Sequence, residues 1–161
     1  MLFFSVMYWS KIDNSTGGSI VKAGMDGSES EPIRFVTGLG EPCGITLDFA
    51  GSRLYWADLK AKKIQSSNLD GKELKTVAEV PLSPYGIALL DGRIYWSYWD
   101  SKIVQSCSKS GEIRKIYEGT VSSRDITVPV WNLPKNRTND CDHQNCSRIC
   151  VLSPVSFKCL P

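Results

Sequence analysis

The side chains with the most chemical potential are crowded at one end of the sequence. Four of the six cysteines, Cys141, Cys146, Cys150 and Cys159, lie in the last 21 residues, with the single histidine, His143, between the first two. Two chemistries suit such a cluster. Zinc binding is one, but the intervening lengths of four, three and eight residues fit the usual short pairing of zinc ligands poorly. Disulfide bonding in an oxidising compartment is the other, and it is the expectation, with the connectivity left open by the cysteine count alone. Nucleophilic catalysis would need a histidine held against a serine or cysteine. His143, inside the Cys-rich tail, reads instead as a surface residue. No Gly-rich phosphate loop is present, and Asp26, Asp70 and Asp91 each sit where a turn calls for them. The expectation is therefore no catalytic site, no cofactor and no metal. Cys43 and Cys107 are read as two unpaired, mostly buried thiols. Asn14-Ser15-Thr16 and Asn136-Arg137-Thr138 are candidate N-glycosylation sites in loops; Asn145, next to a bridged cysteine, is a weaker one.

The bulk composition is that of an ordinary globular domain. Hydrophobic residues make up 42% and charged residues 22%, with a net charge of +2. The charges are interspersed, so there is no basic footprint for nucleic acid. The lysines between Arg53 and Lys75 read as solvated strand edges. No run approaches the ~18 apolar residues of a membrane span. Met1-Leu2-Phe3-Phe4 lacks the basic region of a signal peptide, and its apolar run stops at Ser10-Lys11.

What must position any site is a repeat. Tyr8-Trp9, Tyr55-Trp56 and Tyr95-Trp96 are spaced 47 and 40 residues apart, and a period near 40 marks a repeat architecture. Other residues keep phase with them. Ile64 and Val104 follow their tryptophans by eight residues, and Gly71 and Gly111 by fifteen. Ile20 and Gly27 follow Trp9 three residues late, an excess that fits the loop-like stretch from Asp13 to Gly18. Asp-Gly is a tight-turn signal. Next comes a β-rich run containing Lys or Arg in each copy, and then Pro42-Cys43-Gly44-Ile45-Thr46-Leu47, echoed by Pro84-Tyr85-Gly86-Ile87-Ala88-Leu89 and weakly by Arg124-Asp125-Ile126-Thr127-Val128. Each period thus holds four short strands, the pattern of a β-propeller blade. The Gly-Ile-x-Leu strand is expected innermost, the Tyr-Trp strand second, the strand into Asp-Gly third and the Lys/Arg run outermost, with each Trp packed between blades. After Trp131 periodicity ends in a polar linker, 132–140, and the Cys-rich module occupies 141–161.

Tyr55-Trp56-Ala57-Asp58 resembles the YWTD motif of the low-density lipoprotein receptor family, whose class B repeats form six-bladed propellers. Ile64-x4-Leu69-Asp70-Gly71 and Pro42-x-Gly44-Ile45-x-Leu47 match the same repeat. The tail from Cys141 to Pro154 is similar to the EGF-like module that follows such propellers. The resemblance implies an all-β fold: a partial YWTD β-propeller of about three four-stranded antiparallel blades over 1–131, and a truncated EGF-like module paired Cys141–Cys150 and Cys146–Cys159. It makes Tyr8, Trp9, Tyr55, Trp56, Asp58, Tyr95, Trp96, Gly27, Gly71, Gly111, Gly44 and Gly86 scaffold residues.

Departures from the family pattern carry information. Lys11 and Tyr98 stand where the motif has Asp, although Trp99-Asp100 follows closely. Three repeats are too few to close a ring of about 4–8 blades, so the expectation is a fragment of a larger receptor, with membrane attachment only through its other parts. The residues before Cys141 lack the calcium-binding EGF pattern. By resemblance the function is extracellular ligand binding within an endocytic receptor of the lipoprotein-receptor-related or vitellogenin kind, the partners being protein ligands. A Wnt co-receptor is a close variant, and a nidogen-like matrix protein or a lactonase-like propeller enzyme are the other classes. Interface composition favours Tyr85 and Arg124, at the channel mouth, as ligand contacts.

Overall fold

The computed structural model describes residues 6–13, 15–25, 33–119, 124–127, 149–152 and 157–160. Eleven strands form three antiparallel meanders. The first sheet is β1 (Val6–Asp13), β2 (Gly17–Gly24) and β3 (Ile33–Leu39). The second is β4 (Pro42–Asp48), β5 (Arg53–Asp58), β6 (Lys63–Asn68) and β7 (Lys75–Glu79). The third is β8 (Pro84–Leu90), β9 (Arg93–Tyr98), β10 (Ile103–Ser108) and β11 (Ile113–Glu118). The expected all-β blades and their strand order are present. A separate hairpin, β12 (Ile149–Leu152) and β13 (Phe157–Leu160), sets Cys150 opposite Cys159 in backbone register. Cys141, Cys146, Asn14, Asn136, Gly27 and the remainder of the linker and EGF-like module lie outside the described residues.

The sheets stack face to face, and β5 shows how. Its successive side chains point to opposite faces, as a strand requires. Leu54 and Trp56 join Ile20, Val36 and Leu39 in the core between the first and second sheets. Tyr55 and Ala57 join Ile64, Ile87, Ile94, Trp96 and Tyr98 in the core between the second and third. Being covered on both sides, β5 is buried along nearly its whole length, which is why it reads as continuously apolar.

Each outer strand carries a bulge, and the first two receive the next sheet. Phe35, Val77 and Ile116 are the extra residues where the pairing register shifts. The turn between β6 and β7 places Gly71 at φ 83, and a Cβ there would lie 2.5 Å from the Phe35 carbonyl oxygen. Gly111, at φ 93, would meet the Val77 oxygen at the same 2.5 Å. The Asp-Gly turn thus needs glycine twice over, for its left-handed backbone and for contact between blades. A half-exposed ion pair adds to the join: Lys109, in the turn after β10, donates to the buried Asp48 of the second sheet, which also accepts from the Gly51 amide at 2.9 Å.

Asp58 closes the other end of the blade. It is fully buried, and none of the ion pairs formed by the described residues involves it. Its carboxylate accepts three backbone amides: Gly40 at 2.8 Å, Glu41 at 2.9 Å and Ala61 at 2.9 Å. It therefore ties the linker between the first two blades to the β5–β6 turn. In the third sheet Tyr98 holds this position, and the wiring changes. Trp56 Nε1 donates to Gln65 Oε1 at 3.2 Å. Gln105, the counterpart opposite Trp96, instead accepts from the Tyr98 hydroxyl, which leaves Trp96 Nε1 buried with no hydrogen-bond partner.

Candidate ligand surface at the channel mouth

The inner strands converge closely at the axis. A Cβ on Gly44 would lie 2.6 Å from the Tyr85 carbonyl oxygen, and one on Gly86 would lie 2.9 Å from the Arg124 oxygen. Glycine is what lets neighbouring backbones approach this far. Residues 124–127 therefore sit beside β8 as β8 sits beside β4. Ser97 fixes that placement, since its hydroxyl accepts from the Gly86 amide at 3.2 Å and donates to the Arg124 carbonyl at 3.1 Å. Below the mouth, Ile45, Thr46, Ile87, Ala88, Ile126 and Thr127 line a cleft of about 410 Å³.

At the mouth the chain gathers an aromatic and cationic cluster. Tyr85 is the second residue of β8, and Trp99 immediately follows β9, its amide bonded to the Ser83 oxygen at 3.0 Å. Their ring centroids are 4.8 Å apart at 57°. The Arg124 guanidinium lies 4.3 Å from the centre of the Trp99 ring. Such contacts contribute on the order of 0.5–1 kcal/mol at exposed sites, enough to pre-order the side chains. The cluster borders a cleft of about 680 Å³ whose walls include Ile12, Glu41, Cys43, Leu59 and Asp125.

Tyr85 and Arg124, expected at the channel mouth from composition, are thus brought together through Trp99, of the Trp99-Asp100 pair that closely follows the motif position. The signal for it was phase: Leu59 occupies the same place after β5, so an indole at Trp99 is out of keeping with the repeat. Tyr8, Tyr55, Tyr95 and their tryptophans lie in the sheets. Trp56 and Trp96 are in the inter-sheet cores.

The two thiols nearest these contacts are not activated. Cys43 and Cys107 are free thiols, Cys43 half-buried and Cys107 fully buried. Burial, with lesser contributions from Glu41 and Asp58, pushes the Cys43 thiol up to about 11, so it stays protonated at neutral pH. Burial also pushes Cys107 up to about 11. Among the described residues no group of three His, Cys, Asp or Glu side chains is placed to hold a metal.

Residues 52–89 match the low-density lipoprotein receptor repeat class B. Over 92% of its length the chain is 34% identical to the vitellogenin receptor Yl of Drosophila melanogaster, of which it covers 7%. It is 33% identical to low-density lipoprotein receptor-related protein 5 of Homo sapiens, over 87% of this chain and 9% of that one. The chain therefore spans less than a tenth of these curated relatives. Among solved structures, one of a nidogen/laminin complex superposes with a TM-score of 0.66 and 25% identity, covering 74% of this chain and 46% of that one. A gluconolactonase from Xanthomonas campestris gives a TM-score of 0.64 at 17% identity, over 79% of this chain and 48% of that one, a likeness of fold alone.

Proposed function

The chain belongs to the low-density lipoprotein receptor-related proteins, and on that premise we propose that it is an extracellular ligand-binding segment of an endocytic receptor whose partners are protein ligands of the lipoprotein or vitellogenin kind. The observation that carries this is the Tyr85–Trp99–Arg124 cluster beside the 680 Å³ cleft. Aromatic and arginine side chains beside a cleft of mixed polar and apolar lining are the composition of an interface hot spot. Catalysis forms no part of the proposal, because the one thiol at the cleft is held protonated and fold likeness to a hydrolase does not carry its activity.

A matrix role is the second reading, favoured by the superposition on the nidogen/laminin structure. Surface plasmon resonance separates the two. The chain is immobilised, and lipoprotein particles, vitellogenin and laminin are passed over it. Saturable binding of a lipoprotein or vitellogenin, weakened about tenfold or more by Trp99→Ala, supports the receptor reading; tenfold corresponds to about 1.4 kcal/mol. Binding of laminin alone supports the matrix reading. We further propose N-glycans at Asn14 and Asn136 on the exported protein. Ser15 and Thr16 of the first acceptor sequence are exposed. Loss of a mass shift on Asn14→Gln would establish the first.

A further inference from the structure

The second sheet presents a row of hydrogen-bond donors to the third. Tyr55 of β5 stands opposite Ser66 of β6, and Ser66 opposite Lys75 of β7. Residues in such register share a face of the sheet, and Arg53, two before Tyr55, shares it too. With Lys109 and Ser110, from the turn after β10, they line a pocket of about 260 Å³ between the two sheets. Arg53 opens β5, and Leu59, just past its other end, borders the mouth cleft. The pocket therefore lies at the strand ends away from the mouth, and both its walls are four-stranded sheets.

The chemistry of these walls is one-sided. Arg and Lys side chains only donate. Arg53 donates to Ser66 Oγ at 3.1 Å, and the Ser66 hydroxyl keeps its own proton for a further acceptor. Tyr55 is 2% exposed, and no hydrogen bond among the described residues involves its hydroxyl; Asp48, Lys109 and Arg53 are charges close enough to act on it. Two carboxylates are near, but neither lines the pocket: Asp48 holds Lys109, and the exposed Glu73 holds Arg53 at 3.3 Å. Lys75 is exposed, and none of the ion pairs among the described residues includes it. Sequence phase accounts for the opening. Lys109 stands 40 residues after Leu69, which packs against the apolar core between the first two sheets, so a cation replaces an apolar plug. The donor row recurs one blade on, with Tyr95 opposite Ser106, Ser106 opposite Arg114, and Arg93 donating to Ser106 Oγ at 3.1 Å.

We propose that this pocket binds a sulfate group of a sulfated polysaccharide, Arg53, Lys75 and Lys109 balancing its charge and the Tyr55 and Ser66 hydroxyls donating to its oxygens. Donors alone, three of them cationic, select a group that is anionic and rich in acceptor oxygens. The volume equals that of several waters at ~30 Å³ each, which leaves room for the sugar that carries the group. The recurrence of the row suits a polymer with sulfates at intervals. The choice of a polysaccharide rests on the extracellular setting proposed above; the site itself is independent of the ligand at the mouth.

Surface plasmon resonance over immobilised heparin, with the 161-residue chain as analyte, tests it. Saturable binding is expected, and desulfated heparin should give none. Tyr55→Phe keeps the ring and the net charge and loses only the hydroxyl. It should weaken heparin binding about threefold or more with the melting temperature unchanged. Lys75→Gln should weaken it about fivefold. Lys60→Gln, exposed at the mouth end of β5, removes the same charge and should change it less than about twofold. Trp99→Ala should leave heparin binding intact, and Tyr55→Phe should leave protein-ligand binding intact, so the pocket and the mouth stand or fall separately. Absence of heparin binding, equal losses in Lys60→Gln and Lys75→Gln, or full binding by Tyr55→Phe would each overturn the proposal. Binding of inorganic sulfate or a phosphoserine peptide in place of heparin would overturn the polysaccharide as the ligand.

Discussion

Replacing Asp58 should cost stability in proportion to the number of amides it loses. Oδ1 accepts from Glu41 and Ala61, and Oδ2 from Gly40. In Asp58→Asn the amide oxygen can retain the pair at Oδ1, while the new NH2 faces the Gly40 amide, donor against donor. One charge-assisted bond is lost and one buried N–H is orphaned, so the expected cost is about 2–3 kcal/mol. Asp58→Ala orphans all three amides and should cost about 4–6 kcal/mol. The competing view is that a buried charge is itself a burden, and that an apolar replacement would be near neutral or stabilising. Urea denaturation followed by tryptophan fluorescence separates these views. Amide exchange adds residue-level resolution: the Gly40 amide alone should exchange faster in Asp58→Asn, and all three in Asp58→Ala. Equal costs for the two variants, or less than about 1 kcal/mol for the alanine, would refute the pinning role.

Three further outcomes follow from the same contacts. Trp56→Phe should cost about 1 kcal/mol more than Trp96→Phe, because only Trp56 gives up a hydrogen bond; paired urea titrations measure the difference. Gly71 and Gly92 both have positive φ, but a Cβ on Gly92 meets open space where one on Gly71 meets the Phe35 oxygen. Gly92→Ala should therefore cost only about 1 kcal/mol of backbone strain, and Gly71→Ala clearly more, read as a larger fall in melting temperature. Burial raises the Cys107 thiol from 9.0 to about 11. A group raised on folding stabilises fully below its unfolded value and loses that contribution as pH climbs through the folded one. The melting temperature should thus fall between pH 9 and 11, and Cys107→Ala should lessen the fall relative to pH 7.

The blades were legible because they repeat. Three Tyr-Trp pairs in phase with isoleucine and glycine define four strands per period, and physical periodicity in side-chain direction does the rest. Single-copy contacts were not legible. Lys109 reaches Asp48 across 61 residues, and neither sits in a motif that requires the other. Asp58 reads as a signature letter, and that it holds the neighbouring linker by three amides emerges only when Gly40 and Glu41 are placed against it. At the mouth, Tyr85 and Arg124 were chosen for their residue types, whereas their common neighbour Trp99 was hidden by its resemblance to the repeat. In a periodic sequence the residue that breaks step is the one to examine first.

The inner-strand glycines also set the shape of the bore. Gly44 and Gly86 let adjacent strands nearly touch, and the third position of that series is Asp125, which has a side chain. Its carboxylate turns back on the chain, accepting the Ile126 amide at 2.8 Å, and it borders both the mouth cleft and the cleft beneath. Any strand that follows must stand off by the width of that side chain. The edge that faces the axis after two bare-backbone positions therefore carries a carboxylate, and it gives both clefts an anionic wall at that point.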